Sequence, residues 1–194
     1  NIIKFFGIAK DPKTNDFMMV MEYATFGDLK DTLKSYNSLS WYAKIQILRD
    51  IAYGLNGIHK EGLAHRDFYS GNILDNHDTN KYVSITDLGL CKPANETNDK
   101  KVYGVLPYVA PEILVKEKYT QKSDIYSFGI IIYEVCNELP PHYDMPHEQE
   151  LAIQVCCGLR PTFNIKVPQL IENIAKQCVD ADPLKRPTAE YLFD

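Results

Sequence analysis

The sequence predicts an α+β fold, mostly α, with its strands concentrated near the N-terminus. Two patterns predict it. Short apolar runs over residues 2–8 and 17–22 flank the turn-rich Asp11-Pro12-Lys13-Thr14-Asn15-Asp16, the signature of an antiparallel pair. From Trp41 onward the apolar spacing becomes helical, and it stays so except for short strand-like pieces between residues 63 and 89. With 194 residues, 45% of them hydrophobic, the chain is long enough for one core and one folding unit.

Each element follows from local chemistry. Trp41, Ile45, Leu48, Ala52, Leu55 and Ile58 fall on one helical face, with Ser40 placed as N-cap and Gly62 as terminator. Ile73-Leu74 and Val83-Ser84-Ile85 are too short for helices and read as small strands bracketing functional loops. Residues 123–135 (SDIYSFGIIIYEV) are apolar on nearly every side, which predicts a helix buried in the middle of the domain. Residues 151–157 and 170–179 each carry one apolar face, and Asp182-Pro183 and Arg186-Pro187 punctuate the turns that follow.

Composition excludes several classes. A net charge of -5, from 21 Lys and Arg against 26 Asp and Glu, argues against electrostatic capture of nucleic acid or an anionic membrane. The longest apolar stretches fall far short of the ~18 residues needed to cross a bilayer, so no membrane insertion is expected. The five cysteines form no CxxC pair, and the adjacent Cys156 and Cys157 would point in different directions on a helix; reduced thiols and a cytoplasmic location are expected. The chain opens on Asn1 with strand-like sequence and reads as a fragment.

The densest chemistry lies at His65-Arg66-Asp67-Phe68-Tyr69-Ser70-Gly71-Asn72, which fits H-R-D-x-x-x-x-N. Asp87-Leu88-Gly89 and Ala110-Pro111-Glu112 follow in order. This set resembles the eukaryotic protein kinase family over the whole chain, and Ser123-Asp124-Ile125-Tyr126-Ser127-Phe128-Gly129 is most similar to its tyrosine-kinase-like branch. The resemblance implies a large helical lobe with a remnant of the small β lobe. It makes residues 1–194 an N-terminally truncated kinase domain, with 1–22 as the last small-lobe strands, 23–27 as hinge and 28–194 as large lobe. The Gly-rich loop, the strand Lys and the helix Glu would precede Asn1, so the fragment alone is expected to be inactive.

Phosphoryl transfer needs positioning and charge neutralisation more than covalent help. By the resemblance, Asp67 accepts or orients the proton of the attacking hydroxyl, while Asn72 and Asp87 hold Mg2+ against the phosphates of ATP. Met21 is implied as gatekeeper, the Glu22 carbonyl and Ala24 N–H as partners of the adenine edge, and Leu74 as the apolar floor beneath it. Asp124 is expected to hold the backbone of the His65-Arg66 turn, and Arg186 to pair with Glu112 in a buried ion pair. Arg66 is expected to order the activation segment, residues 87–112, by pairing with a phosphate on Thr97 or Tyr103. The partners implied are ATP and a protein substrate; oligomeric state is open.

Three departures from the family pattern stand out. No Lys or Arg lies between Asp67 and Asn72, where the family places a cation for the γ-phosphate. Leu88 replaces the Phe of the metal-binding motif and is expected to remain an apolar plug. Val105 stands where the serine/threonine pattern has Thr, yet Tyr108-Val109-Ala110-Pro111-Glu112 fits Y-x-A-P-E, so Ser or Thr is favoured over Tyr as acceptor. The alternatives are a degenerate scaffold that binds nucleotide or protein partners without turnover, and a helical interaction module with coincidental motifs.

Overall fold

A computed structural model of the chain describes residues 1–35, 38–76, 83–94, 102–115, 118–146 and 148–194. Strands β1 (Phe5–Lys10) and β2 (Phe17–Met21) pair antiparallel, Phe5 opposite Met21 and Lys10 opposite Phe17, with an irregularity between Phe5 and Gly7. The Asp11 carboxylate accepts from the Lys13 N–H at 2.7 Å and shapes the turn. The first strand starts later than its apolar run suggests. Ile3 is instead tied to Ile85, donating to its carbonyl at 2.8 Å, while the Ile85 N–H donates to the carbonyl of Asn1 at 3.0 Å.

A short helix the apolar spacing did not reveal, α1 (Leu29–Ser35), buries Leu29, Thr32 and Leu33. The long helix α2 (Trp41–Lys60) runs as predicted: Ser40 Oγ accepts from the Ala43 N–H at 3.2 Å, and Gly62 follows the helix end at φ +73°. Next come β3 (Leu63–Ala64), β4 (Ile73–Asp75), β5 (Val83–Ile85) and β6 (Lys92–Pro93), pairing antiparallel as β4 with β5 and β3 with β6. The second pair was not legible, because two-residue strands carry no periodicity.

Helix α3 (Pro111–Leu114) leads to α4 (Gln121–Asn137), in which every residue from Ser123 to Cys136 is buried. Thr120 and Ser123 form its capping box. Against this axis pack α2 and α6 (Gln169–Cys178), while α5 (Gln149–Cys156) packs on α3 and α7 (Ala189–Phe193) lies along α2. Gly129 decides how close α4 and α6 come: a Cβ there would lie 2.7 Å from both Cys178 Cβ and Val179 Cγ1. The fold is α+β, mostly α. Among the described residues, no helix is long and apolar enough to cross a membrane.

Candidate functional site

The loop between β3 and β4 is held from beneath by one carboxylate. Asp124, in the first turn of α4, accepts from the His65 N–H at 2.8 Å and from the Arg66 N–H at 3.0 Å. It also accepts from His59 Nε2 at 2.9 Å. Arg66 sits at φ +73°, a left-handed conformation that costs a non-glycine residue about 1 kcal/mol or more, and the two bonds from Asp124 offset that cost. The buried His65 ring then locks the loop to the residue that follows β5. Its Nδ1 accepts from the Asp67 N–H at 3.4 Å and its Nε2–H donates to the Thr86 carbonyl at 3.1 Å, bonds that agree on a single tautomer.

This architecture brings three of the expected site residues together. Asn72 Nδ2 donates to the Asp67 carbonyl at 2.8 Å and to Asp67 Oδ2 at 3.2 Å, fixing the carboxylate and leaving the Asn72 side-chain oxygen without a partner among the described residues. The Asn72 carbonyl accepts from the Thr86 N–H at 2.9 Å, so Asp87 follows immediately beside the pair. Asp87 is exposed and left-handed (φ 54°, ψ 65°), its Oδ1 accepting from the Gly89 N–H at 3.3 Å. Leu88, expected as an apolar plug, is instead 42% exposed, because a short 3-10 turn carries it outward directly after Asp87.

The available donors are carboxylate and amide oxygens, the kind Mg2+ takes, so the residues present fit the ion. Among the described residues no group of three or more His, Cys, Asp or Glu could hold a metal unaided. Phosphate or water oxygens would have to complete the shell.

Met21 ends β2 and is 42% exposed. The Glu22 N–H donates to the Lys4 carbonyl at 2.8 Å, while its carbonyl and the Ala24 N–H enter no backbone hydrogen bond among the described residues. Leu74 is the half-buried member of β4, its neighbours Ile73 and Asp75 being buried, and it bridges to Asp28.

Two further clusters frame the loop. Arg186, fully buried, donates from Nη1 and Nη2 to the two oxygens of Glu112 at 2.7 and 2.8 Å. The Arg66 guanidinium stacks 5.4 Å from the Tyr119 ring, and the Tyr119 hydroxyl clasps the backbone of Tyr103, accepting from its N–H and donating to its carbonyl, each at 2.6 Å. Thr97 lies outside the described residues.

One cluster went unread in the sequence. Glu134, in α4, accepts from Ser70 Oγ at 2.9 Å and from the Tyr108 hydroxyl at 2.8 Å, and those two hydroxyls are 3.1 Å apart. Burial is the main cause that pushes the Glu134 carboxyl up to about 7, and burial followed by the charge of Glu134 raises the Tyr108 phenol well above its ordinary value. The signal was a second carboxylate, besides Asp124, in a helix with no solvent-facing side, which must find buried donors. Through it, α4 grips the Asp67 loop at Ser70 and the segment before Ala110 at Tyr108.

The family model described as protein tyrosine and serine/threonine kinase matches residues 1–194, the whole chain. The chain belongs to the protein kinase family. This kinase chain is 35% identical to "Serine/threonine-protein kinase VIK" of Arabidopsis thaliana over 97% of its own length and 44% of the relative's. It is 31% identical to "Ankyrin repeat and protein kinase domain-containing protein 1" of Mus musculus, over 96% of the chain and 26% of the relative. With "Serine/threonine/tyrosine-protein kinase HT1" of Arabidopsis thaliana it shares 30% identity over 96% of the chain and 48% of the relative. It thus spans less than half the length of these curated relatives. Its mostly helical body with a β remnant is a protein kinase fold.

Proposed function

We propose that the protein carrying this chain transfers the γ-phosphate of ATP to protein hydroxyls, Ser and Thr in preference to Tyr, with Asp67 as base. One observation carries this reading: the Asp67 carboxylate is fixed by Asn72 while the Asn72 carbonyl pins the strand that delivers Asp87. Residues 1–22 are then the last strands of a small lobe, 23–27 the hinge and 28–194 the large lobe. Met21, the Glu22 carbonyl, the Ala24 N–H and Leu74 form the adenine subsite.

ATP would supply the phosphoryl group, and Asn72 and Asp87 would hold Mg2+, which when bound would supply charge neutralisation. Asp67 lies beside the activation segment, since a Cβ on Gly104 would sit 3.7 Å from its Oδ1. A peptide resting on that segment would present its hydroxyl to this carboxylate, which takes the proton. Thr97 and Tyr103, the latter with its backbone held by Tyr119, are the candidate modification sites that Arg66 would sense. Serine/threonine kinases among the relatives support the acceptor preference. A location in the cytoplasm belongs to the same reading.

In the full-length protein, Asp67→Asn should lower kcat by orders of magnitude with ATP affinity nearly unchanged. Near-wild-type turnover in that variant would remove Asp67 as base, and a wild-type protein without turnover would favour the scaffold reading, which the lack of a cation between Asp67 and Asn72 supports. A peptide array in which Tyr substrates outpace Ser and Thr would reverse the acceptor assignment.

A further inference from the structure

Between Asp67 and Asn72 the loop offers no Lys or Arg to a phosphoryl group in flight, and the one long polar side chain it does offer is Tyr69. Its placement is specific. The ring folds back over Gly71, so closely that a Cβ on that glycine would meet Tyr69 Cε2 at 2.5 Å and the hydroxyl oxygen at 2.8 Å. Gly71 is therefore the residue that lets Tyr69 lie along its own loop. The other edge of the ring packs against Tyr108, centroids 5.8 Å apart and planes at 61°, and Tyr108 is itself anchored by Glu134 and Ser70. A tyrosine held on both sides has little rotamer freedom left to lose when it engages a ligand.

The hydroxyl so held is unspent. Among the described residues it makes no hydrogen bond. Burial, and after it the charges of Asp67, Asp28 and Asp87, raise the phenol above its ordinary value, so it keeps its proton at any physiological pH. A neutral O–H close to the carboxylates that the proposed function assigns to base and metal is a hydrogen-bond donor looking for an anion.

We propose that Tyr69 is a catalytic residue that donates its O–H to a non-bridging oxygen of the phosphoryl group during transfer, the work a cation would otherwise do in this loop. The proposal rests on the phosphotransferase reading above. In the step, the acceptor hydroxyl oxygen forms a bond to the γ-phosphorus, and the bond from that phosphorus to the β,γ-bridging oxygen breaks, ADP leaving with the electron pair. The acceptor's proton passes to Asp67, and Tyr69 keeps its own. Donors that engage charge built up in the transition state act on kcat and not on ground-state binding.

The test uses the full-length protein and Tyr69→Phe, which keeps the ring over Gly71 and against Tyr108 and removes only the donor. We expect kcat to fall at least 10-fold with KM for ATP and thermal midpoint unchanged, and Tyr69→Lys to recover a measurable part of the loss. Calorimetry supplies a readout independent of turnover: the tightening of ADP binding by aluminium fluoride, which mimics the phosphoryl group in transfer, should shrink in Tyr69→Phe while ADP alone binds as in wild type. Wild-type kcat in Tyr69→Phe, or a loss of kcat with the aluminium fluoride effect intact, overturns the assignment and leaves the ring as packing. Should the wild-type protein neither turn over nor respond to aluminium fluoride, the phosphotransferase reading fails first and takes this one with it; an active, Asp67-dependent wild type isolates Tyr69.

Discussion

The guanidinium of Arg186 and the carboxylate of Glu112 face each other fork to fork, two hydrogen bonds of 2.7 and 2.8 Å joining groups 74 residues apart. The pair is embedded. Ser123 Oγ adds a third bond to Glu112 at 3.2 Å, Arg186 donates onward to the carbonyls of Asp180 and Lys122, and the Tyr126 ring lies 5.1 Å away. It ties the end of the activation segment to the turn before α7.

Removing one partner leaves the other charged and buried. Arg186→Ala or Glu112→Ala should therefore destabilise the protein by about 3–5 kcal/mol. Replacing both together by apolar residues of similar volume should cost much less than the sum of the two single changes. Urea denaturation of the four proteins measures this, and additive costs would mean that the pair is not coupled.

Asp124 supports a strained turn through its bonds from the His65 and Arg66 N–H groups and accepts a third from His59, so the isosteric Asp124→Asn should be felt locally. Its amide can keep one acceptor but must turn an N–H toward donors already pointing at it. Stability should drop by about 1–3 kcal/mol, with amide exchange at His65 and Arg66 accelerated beyond the global change. Protection at those two amides equal to wild type would show that the left-handed turn holds itself.

The buried Glu134 carboxyl predicts a pH dependence with a definite sign. Its folded value, about 7, lies above the ordinary 4.5, so the native chain retains a proton that the unfolded chain has already released. Its contribution to stability is complete below about 4.5, declines as pH rises, and is gone above about 7. Subtracting the stability profile of Glu134→Gln from that of wild type should reveal a fall across this window. A difference that is flat from pH 4 to 8 would place the carboxyl's titration elsewhere.

Gly129 offers a case where two effects compete. Alanine is the better helix former by about 1 kcal/mol, yet its methyl would enter the contact with Cys178 and Val179 at 2.7 Å. Overpacking of a filled interface costs about 1–3 kcal/mol, so Gly129→Ala should be net destabilising. A raised thermal midpoint in the variant would show that α6 can move away freely.

Much of this chain is legible in its sequence alone. The buried helix announced itself because solvent-facing positions in residues 123–135 are missing, and α2 because its apolar stripe, Ser40 and Gly62 agree on the same boundaries. The H-R-D-x-x-x-x-N run placed Asp67 and Asn72 five residues apart on one loop, where the bond between them is local. Spacing alone was enough for such features, since each depends on neighbours within a few residues or on one helical face.

What only tertiary structure decided involves residues far apart in the chain. Ile85 draws in Ile3 and shortens the first strand, Glu134 reaches Ser70 across 64 residues, and Tyr119 closes on the backbone of Tyr103. None of these pairings has a period or a motif, because each is selected by the need to satisfy a polar group buried by the packing of other elements. Sequence determined which residue types the site holds; the packing around α4 decided which of their atoms are spent on the fold and which, like the Asn72 side-chain oxygen and the Tyr69 hydroxyl, remain free among the described residues for chemistry.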